Sequence, residues 1–174
     1  MKANYYGVKI CRLGYKDKRL EALAANMAAH MRKADRDELA AMDIAPYEAA
    51  IGSLKTSTEK YAAIAEDGTL LCLFGVRIRH ENGARHGIIW ALGTEALQHH
   101  NKALYGAGMD YIREKKKDCR TLCNYMTVNN KKALRFIKKA GASFDQPFQI
   151  NRKDWIVRFE IRKEDSLCAA SARP

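Results

Sequence analysis

Asn130-Lys-Lys-Ala-Leu-Arg-Phe-Ile-Lys-Lys-Ala-Gly141 reads as a short helix with both ends marked. Ala133, Phe136, Ile137 and Ala140 recur at helical spacing and make one apolar stripe to bury. Lys131, Lys132, Arg135, Lys138 and Lys139 form a cationic face beside it. Asn129 or Asn130 can accept a hydrogen bond from the orphan amides of the first turn, and Gly141 can adopt the left-handed conformation that ends a helix. Strand candidates flank the segment: Leu122 to Val128 before it, Ser143 to Ile150 and Asp154 to Arg162 after it.

Upstream, Lys102 to Lys117 carries Leu104, Gly108, Tyr111 and Ile112 along one face and predicts a longer helix. Thr94 can cap a short turn ahead of it. Three strand candidates precede that turn: Tyr61 to Glu66, Thr69 to Arg79 and Gly87 to Leu92. An Asp67-Gly68 turn and a polar turn from His80 to His86 join them into an antiparallel meander. The first third predicts one strand, Tyr6 to Arg12, and then helical pieces at Lys16 to Met31, Arg36 to Met42 and Tyr47 to Leu54. Asp35 and Glu38 resemble a capping pair for the second piece, and Pro46 suits the start of the third. The order predicts a single α/β domain over residues 1–163, with a mixed, mostly antiparallel central sheet and helices on both faces. The long helix joins the fourth and fifth strands as a parallel pair. Residues 164–174, small and polar, are expected to form a disordered tail.

This order resembles the GNAT (N-acetyltransferase-like) superfamily. Asn130, Ala133, the apolar pair Phe136–Ile137 and Gly141 match that family's pattern for the helix after the fifth strand. A closer resemblance is to the GNAT-like internal virion protein family of short-tailed phages. Trp90-Ala-Leu-Gly-Thr94, the basic helix that follows and the stretch from Leu122-Cys-Asn-Tyr125 to Phe144 carry it, so it covers about half the chain. The resemblance implies acetyl-CoA as cofactor, lying in a cleft between the fourth and fifth strands. Its pantetheine arm would bond to backbone around Trp90, Ala91, Leu92 and Gly93, with Asn130 beside it. An amine substrate would attack directly. It also implies a phage origin, with the protein in the cytoplasm of the infected host or packaged in the virion.

Two departures from the enzyme pattern stand out. GNAT enzymes hold the cofactor's pyrophosphate on a glycine-rich loop at a helix N-terminus. The nearest counterpart, Ala103-Leu-Tyr-Gly106-Ala-Gly108, has Ala103 in place of a polar residue and falls inside a helical pattern, where close helix packing explains the glycines equally. Gln98-His-His-Asn-Lys102 is the other candidate for phosphate contacts, Lys102 above all. The second departure is Ile137, at the position where many of these enzymes carry a proton-donating Tyr. Tyr125 or Tyr105 can substitute as acid, and Glu66, Glu81 and His86 are candidates for the base, each also readable as a packing, surface or turn residue. The two function classes are therefore an N-acyltransferase and a scaffold without catalysis that binds an acidic protein or host factor.

Charge favours the second class as much as the first. Thirty-one Lys and Arg against 20 Asp and Glu give a net charge of +11. Such a surface suits acidic partners, phosphate-rich cofactors or nonspecific nucleic-acid contact, with Lys131, Lys132, Arg135, Lys138 and Lys139 as one patch and Lys115, Lys116 and Lys117 as a second. The five cysteines are scattered without a second Cys or His pair at zinc spacing, so no metal site is expected. No apolar run is long enough to span a bilayer, and the N-terminal residues lack the pattern of a secretion signal, so cytoplasmic synthesis is expected.

Overall fold

The computed structural model describes residues 1–163; the expected tail at 164–174, with Cys168, lies outside the described residues. The chain opens on a hairpin, β1 (Asn4–Tyr5) and β2 (Val8–Arg12), where a single strand was expected. Tyr6 and Gly7 both take positive φ and make its turn. Helices α1 (Leu20–His30), α2 (Lys33–Ala41) and α3 (Pro46–Thr56) follow. Asp35 lies inside α2 instead of capping it. Arg32 holds the cap position and bonds the Asp35 carboxylate inward.

The meander is β3 (Glu59–Ile64), β4 (Leu70–Glu81) and β5 (Ala84–Gly93). The turn between β4 and β5 is only Asn82-Gly83, at φ 50° and 75°, not the longer span from His80 to His86. Two residues at positive φ match the twist of a tight hairpin, and Asn-Gly is the pair that tolerates them. The strands run on through polar residues there because that end of the ladder projects beyond the core.

A 3-10 turn (Glu95–His100) leads into α4 (Asn101–Asp118), then β6 (Thr121–Thr127) and α5 (Lys131–Lys139). Asn130 caps α5, accepting from the Ala133 amide at 3.3 Å, and Gly141 takes φ 92° just past its end. The predicted strand Ser143 to Ile150 is two short pieces, β7 (Ser143–Phe144) and β8 (Phe148–Gln149), on either side of Pro147, and β9 (Trp155–Arg162) closes the sheet. Pro cannot donate to a ladder, which explains the break.

The strands lie in the order β1-β2-β3-β4-β5-β6-β9-β7, with β8 also on β9. Every neighbouring pair is antiparallel except β5 and β6, joined in parallel through α4. One face packs Ala103, Ala107, Tyr111 and Ile112 of α4 and Ile137 of α5 against Phe74, Ile89, Leu122 and Phe159. The other packs Ala24, Met27, Ala50 and Leu54 of α1 and α3 against Ala62 and Leu73. This is the expected mixed, mostly antiparallel α/β sheet with helices on both faces.

Candidate functional site

β5 and β6 pair only at their beginnings, His86 with Thr121, Gly87 with Leu122 and Ile88 with Cys123. Beyond that point each strand follows its other neighbour. β5 stays on β4 as far as Gly93 opposite Cys72, and β6 stays on β9 as far as Thr127 opposite Ile156. A gap therefore opens between the C-terminal halves of the two parallel strands. Asn124 closes its apex, its Nδ2 donating to the Ile89 carbonyl at 2.8 Å.

The alternation of the β4–β5 ladder decides which peptide groups face the gap. The Thr94 amide donates to the Leu71 carbonyl at 2.9 Å, so Leu92 and Trp90 likewise bond towards β4. Ile89, Ala91 and Gly93 then direct their N–H and C=O groups into the gap. The Ile89 carbonyl is taken by Asn124. Gly93 is taken on both sides: its amide donates to Asp35 Oδ2 at 2.8 Å, and its carbonyl accepts from the Arg32 amide at 2.9 Å. Ala91 remains as the open position. The side chains of Trp90 and Leu92 point to the α1–α3 layer, where the Trp90 indole donates to Ser57 Oγ at 2.7 Å.

α2 thus lies across the mouth of the gap and sends one carboxylate to each side. Asp35 is 5% exposed and receives Arg32 Nε and Nη2 at 2.8 and 2.7 Å besides the Gly93 amide. Glu38, one turn on, accepts from Asn130 Nδ2 at 2.9 Å and more weakly from Thr127 Oγ1 at 3.4 Å. Burial raises the Glu38 carboxyl above the usual range; the nearby Asp35 adds to this, while the Asn130 and Thr127 bonds act the other way. A carboxyl so tuned exchanges protons nearer neutrality than an exposed one. Sequence reasoning missed both roles because acids three apart near a helix start also fit a capping pair. The usable signal was Asp35 lying one helical turn before Leu39, which marks it as inward-facing.

The other candidates are dispersed. Gly106 and Gly108 lie inside α4, and a Cβ on Gly108 would come within 2.8 Å of the Phe136 ring, so that glycine serves helix packing. Lys102 is exposed in the first turn of α4, its Nζ 4.6 Å from the Tyr6 ring centroid. Tyr125 follows Asn124 on β6 where the gap has opened and is 46% exposed, edge-on to Phe148. Tyr105 packs edge-on against Phe136 on the outer side of α4. Glu81 lies at the hairpin tip and His86 at the paired end of β5, bonded to Thr121 Oγ1, so both are away from the gap. Glu66 sits beside Gly7 after β3.

Asn130 reaches the gap, but its amide is shared between the α5 cap and Glu38. Ile137 is buried in the core. The five α5 cations are all exposed, whereas Lys115 is buried and bonded to both Glu59 carboxylate oxygens at 2.9 and 3.0 Å, which removes it from the surface patch. Among the described residues, no group of three or more His, Cys, Asp or Glu is placed to hold a metal ion, and no helix is long and apolar enough to cross a membrane.

No family model and no curated protein sequence matches the chain. Solved structures do. The spermidine N-acetyltransferase of Vibrio cholerae, in complex with CoA and spermine, superposes with a TM-score of 0.64 at 12% identity, over 90% of this chain and 96% of that one. A putative phosphinothricin N-acetyltransferase gives 0.59 at 16% identity, over 91% and 99%. A GNAT-family acetyltransferase from Streptococcus pneumoniae gives 0.59 at 13%, over 89% and 98%. The fold is that of the GNAT acetyltransferases.

Proposed function

We propose that this chain is an acyl-CoA-dependent N-acyltransferase that transfers an acetyl group from acetyl-CoA to an amine. The observation that carries the reading is the gap between β5 and β6, with the Ala91 peptide groups directed into it. An extended amide-bearing arm fits there as a short additional strand. Acetyl-CoA would supply the activated thioester. Along Trp90 to Gly93 the chain offers Ala91 at once, and Gly93 only after the Arg32–Asp35 segment lets go. Lys102 and the first amides of α4 lie at a helix N-terminus, which suits a pyrophosphate.

Direct transfer asks two things of the protein once the amine nitrogen bonds the acyl carbon and the C–S bond breaks. A base takes the ammonium proton, and an acid supplies the thiolate's proton. Glu38 serves as the base: its raised carboxyl stands at the gap mouth beside Asn130. Tyr125 serves as the acid from β6, since Ile137 can donate nothing. Holding the two reactants together supplies much of the remaining rate.

The test is thiol release from acetyl-CoA over a panel of primary amines. Glu38→Gln is expected to lower kcat/KM by roughly a hundredfold or more, and Tyr125→Phe by a smaller factor. Absence of acyl transfer from acetyl-CoA to any amine in the presence of the intact protein contradicts the proposal.

A second reading has its own observation. The Asp35 and Arg32 contacts that already occupy Gly93, together with Ile137, favour a scaffold that no longer catalyses. In that reading the protein acts in a phage particle or against a host factor, and the α5 cations Lys131, Lys132, Arg135, Lys138 and Lys139 meet an acidic protein or nucleic acid.

A further inference from the structure

On the α1–α3 face of the sheet, Lys60 lies in a cross-strand row with Gly75 and Trp90. It is 3% exposed, and among the described residues no carboxylate or other hydrogen-bond acceptor meets its ammonium. Its Nζ lies over the face of the Tyr15 ring, 5.6 Å from the centroid. An unpaired buried cation is costly, and most buried lysines avoid the cost through a carboxylate. Lys115 shows that solution in this protein, paired with Glu59.

Lys60 instead lines a cavity of about 430 Å³ with Arg12, Gly14, Tyr15, Ser57 and Thr58. Lys60 brings a cation to the cavity wall, and no acid lines it. Arg12 pairs in register with Tyr61, so its side chain turns to the opposite face, towards Glu59. Thr58 Oγ1 accepts from the Ile78 amide at 3.0 Å, which leaves its hydroxyl proton to donate. Ser57 Oγ, already bonded to Trp90 and to the Ser53 carbonyl, forms a fixed wall. The acids nearest in sequence point elsewhere: Glu59 binds Lys115 and Tyr61 on the opposite face, and Asp17 binds Arg19. Burial lowers the Lys60 pKa, as expected for a cation awaiting a counter-charge.

We propose that this cavity is a binding site for a small oxyanion, a phosphate or carboxylate group, with the Lys60 ammonium as its anchor and the Thr58 hydroxyl completing the contacts. The site is separate from the β5–β6 gap: Lys60 and Trp90 stand two strands apart, about 10 Å, and the proposal does not depend on acyl transfer. It also disfavours a polycation at this face.

The experiment titrates the full chain at low salt with inorganic phosphate and, separately, with succinate, by calorimetry. Saturable single-site binding is expected for at least one of them, and the two arms decide between phosphate and carboxylate. Lys60→Met is expected to weaken it roughly tenfold or more, with Lys153→Met, at an exposed position before β9, without effect. Equal weakening by both variants, or no saturable binding to the intact protein, overturns the proposal. A second readout needs no variant. The Lys60 ammonium, followed by NMR, is expected to titrate at least about one pH unit higher when the anion is bound, and an unmoved titration overturns the site.

Discussion

The Glu38 carboxylate accepts a hydrogen bond from the Asn130 side-chain amide at 2.9 Å, joining α2 to the residue that caps α5. The two positions are far apart in sequence, and the contact places an acid of raised pKa at the open end of the β5–β6 gap. One turn earlier, Asp35 holds the opposite strand through Gly93. A single helix therefore sets how far the two splayed strands stand apart at their ends.

Glu38 has a pH signature in stability. Its folded pKa stands above the ordinary value of 4.5, so the folded state keeps this proton longer than the unfolded chain does. The contribution is fully present below 4.5 and falls as pH rises through the raised value. Urea denaturation across pH is expected to show this loss in the intact protein and its absence in Glu38→Gln, whose carboxamide oxygen still accepts from Asn130.

Asp35→Ala leaves the Arg32 guanidinium and the Gly93 amide without their shared acceptor. Breaking a buried pair from one side costs about 3 kcal/mol. Asp35→Asn, which keeps an acceptor for Gly93, is expected to cost less. Denaturation midpoints check the ranking, and equal stability of Asp35→Ala and the intact protein would contradict the buried network.

The two α4 glycines separate packing from ligand binding. Gly108→Ala pushes a methyl into the Phe136 ring and is expected to destabilise by about 1–3 kcal/mol. Gly106→Ala, whose Cβ meets Tyr5 no closer than 3.6 Å, gains helix propensity and is expected to be neutral or stabilising. Neither is expected to change acetyl-CoA affinity in a calorimetric titration.

The α5 patch predicts a salt signature if it meets nucleic acid. Each phosphate neutralised contributes about −0.9 to the slope of log affinity against log salt on duplex DNA. Lys138→Gln with Lys139→Gln is expected to flatten that slope by about 2, as read by fluorescence anisotropy. An unchanged slope removes those two lysines from the contact.

The sequence displayed the fold through local signals: the Asn130 cap, the Gly141 stop, the Asp67-Gly68 turn and the helical stripe of α4. It hid what depends on distant partners. Asp35 and Glu38 are chemically suited to a capping pair, and only the approach of Gly93 and Asn130 gives them another role. Lys115 reads as a surface charge on α4 because Glu59, its partner, lies far away in sequence on β3. The extension of β4 and β5 past His80 was legible in Asn82-Gly83, but the surrounding charges masked the strand period. Tyr125 on β6 and Lys102 in the first turn of α4 lie on the elements the sequence predicts for them, because strand and helix periods are local signals.

Isothermal titration with acetyl-CoA, with desulfo-CoA and ATP as controls, asks whether the β5–β6 gap receives an acyl-CoA arm, as proposed. Saturable binding of acetyl-CoA and desulfo-CoA but not ATP is the predicted result, because the pantetheine arm and the Ala91 edge recognise each other. Equal binding of all three, lost as salt is raised, or no binding at low salt, would contradict it.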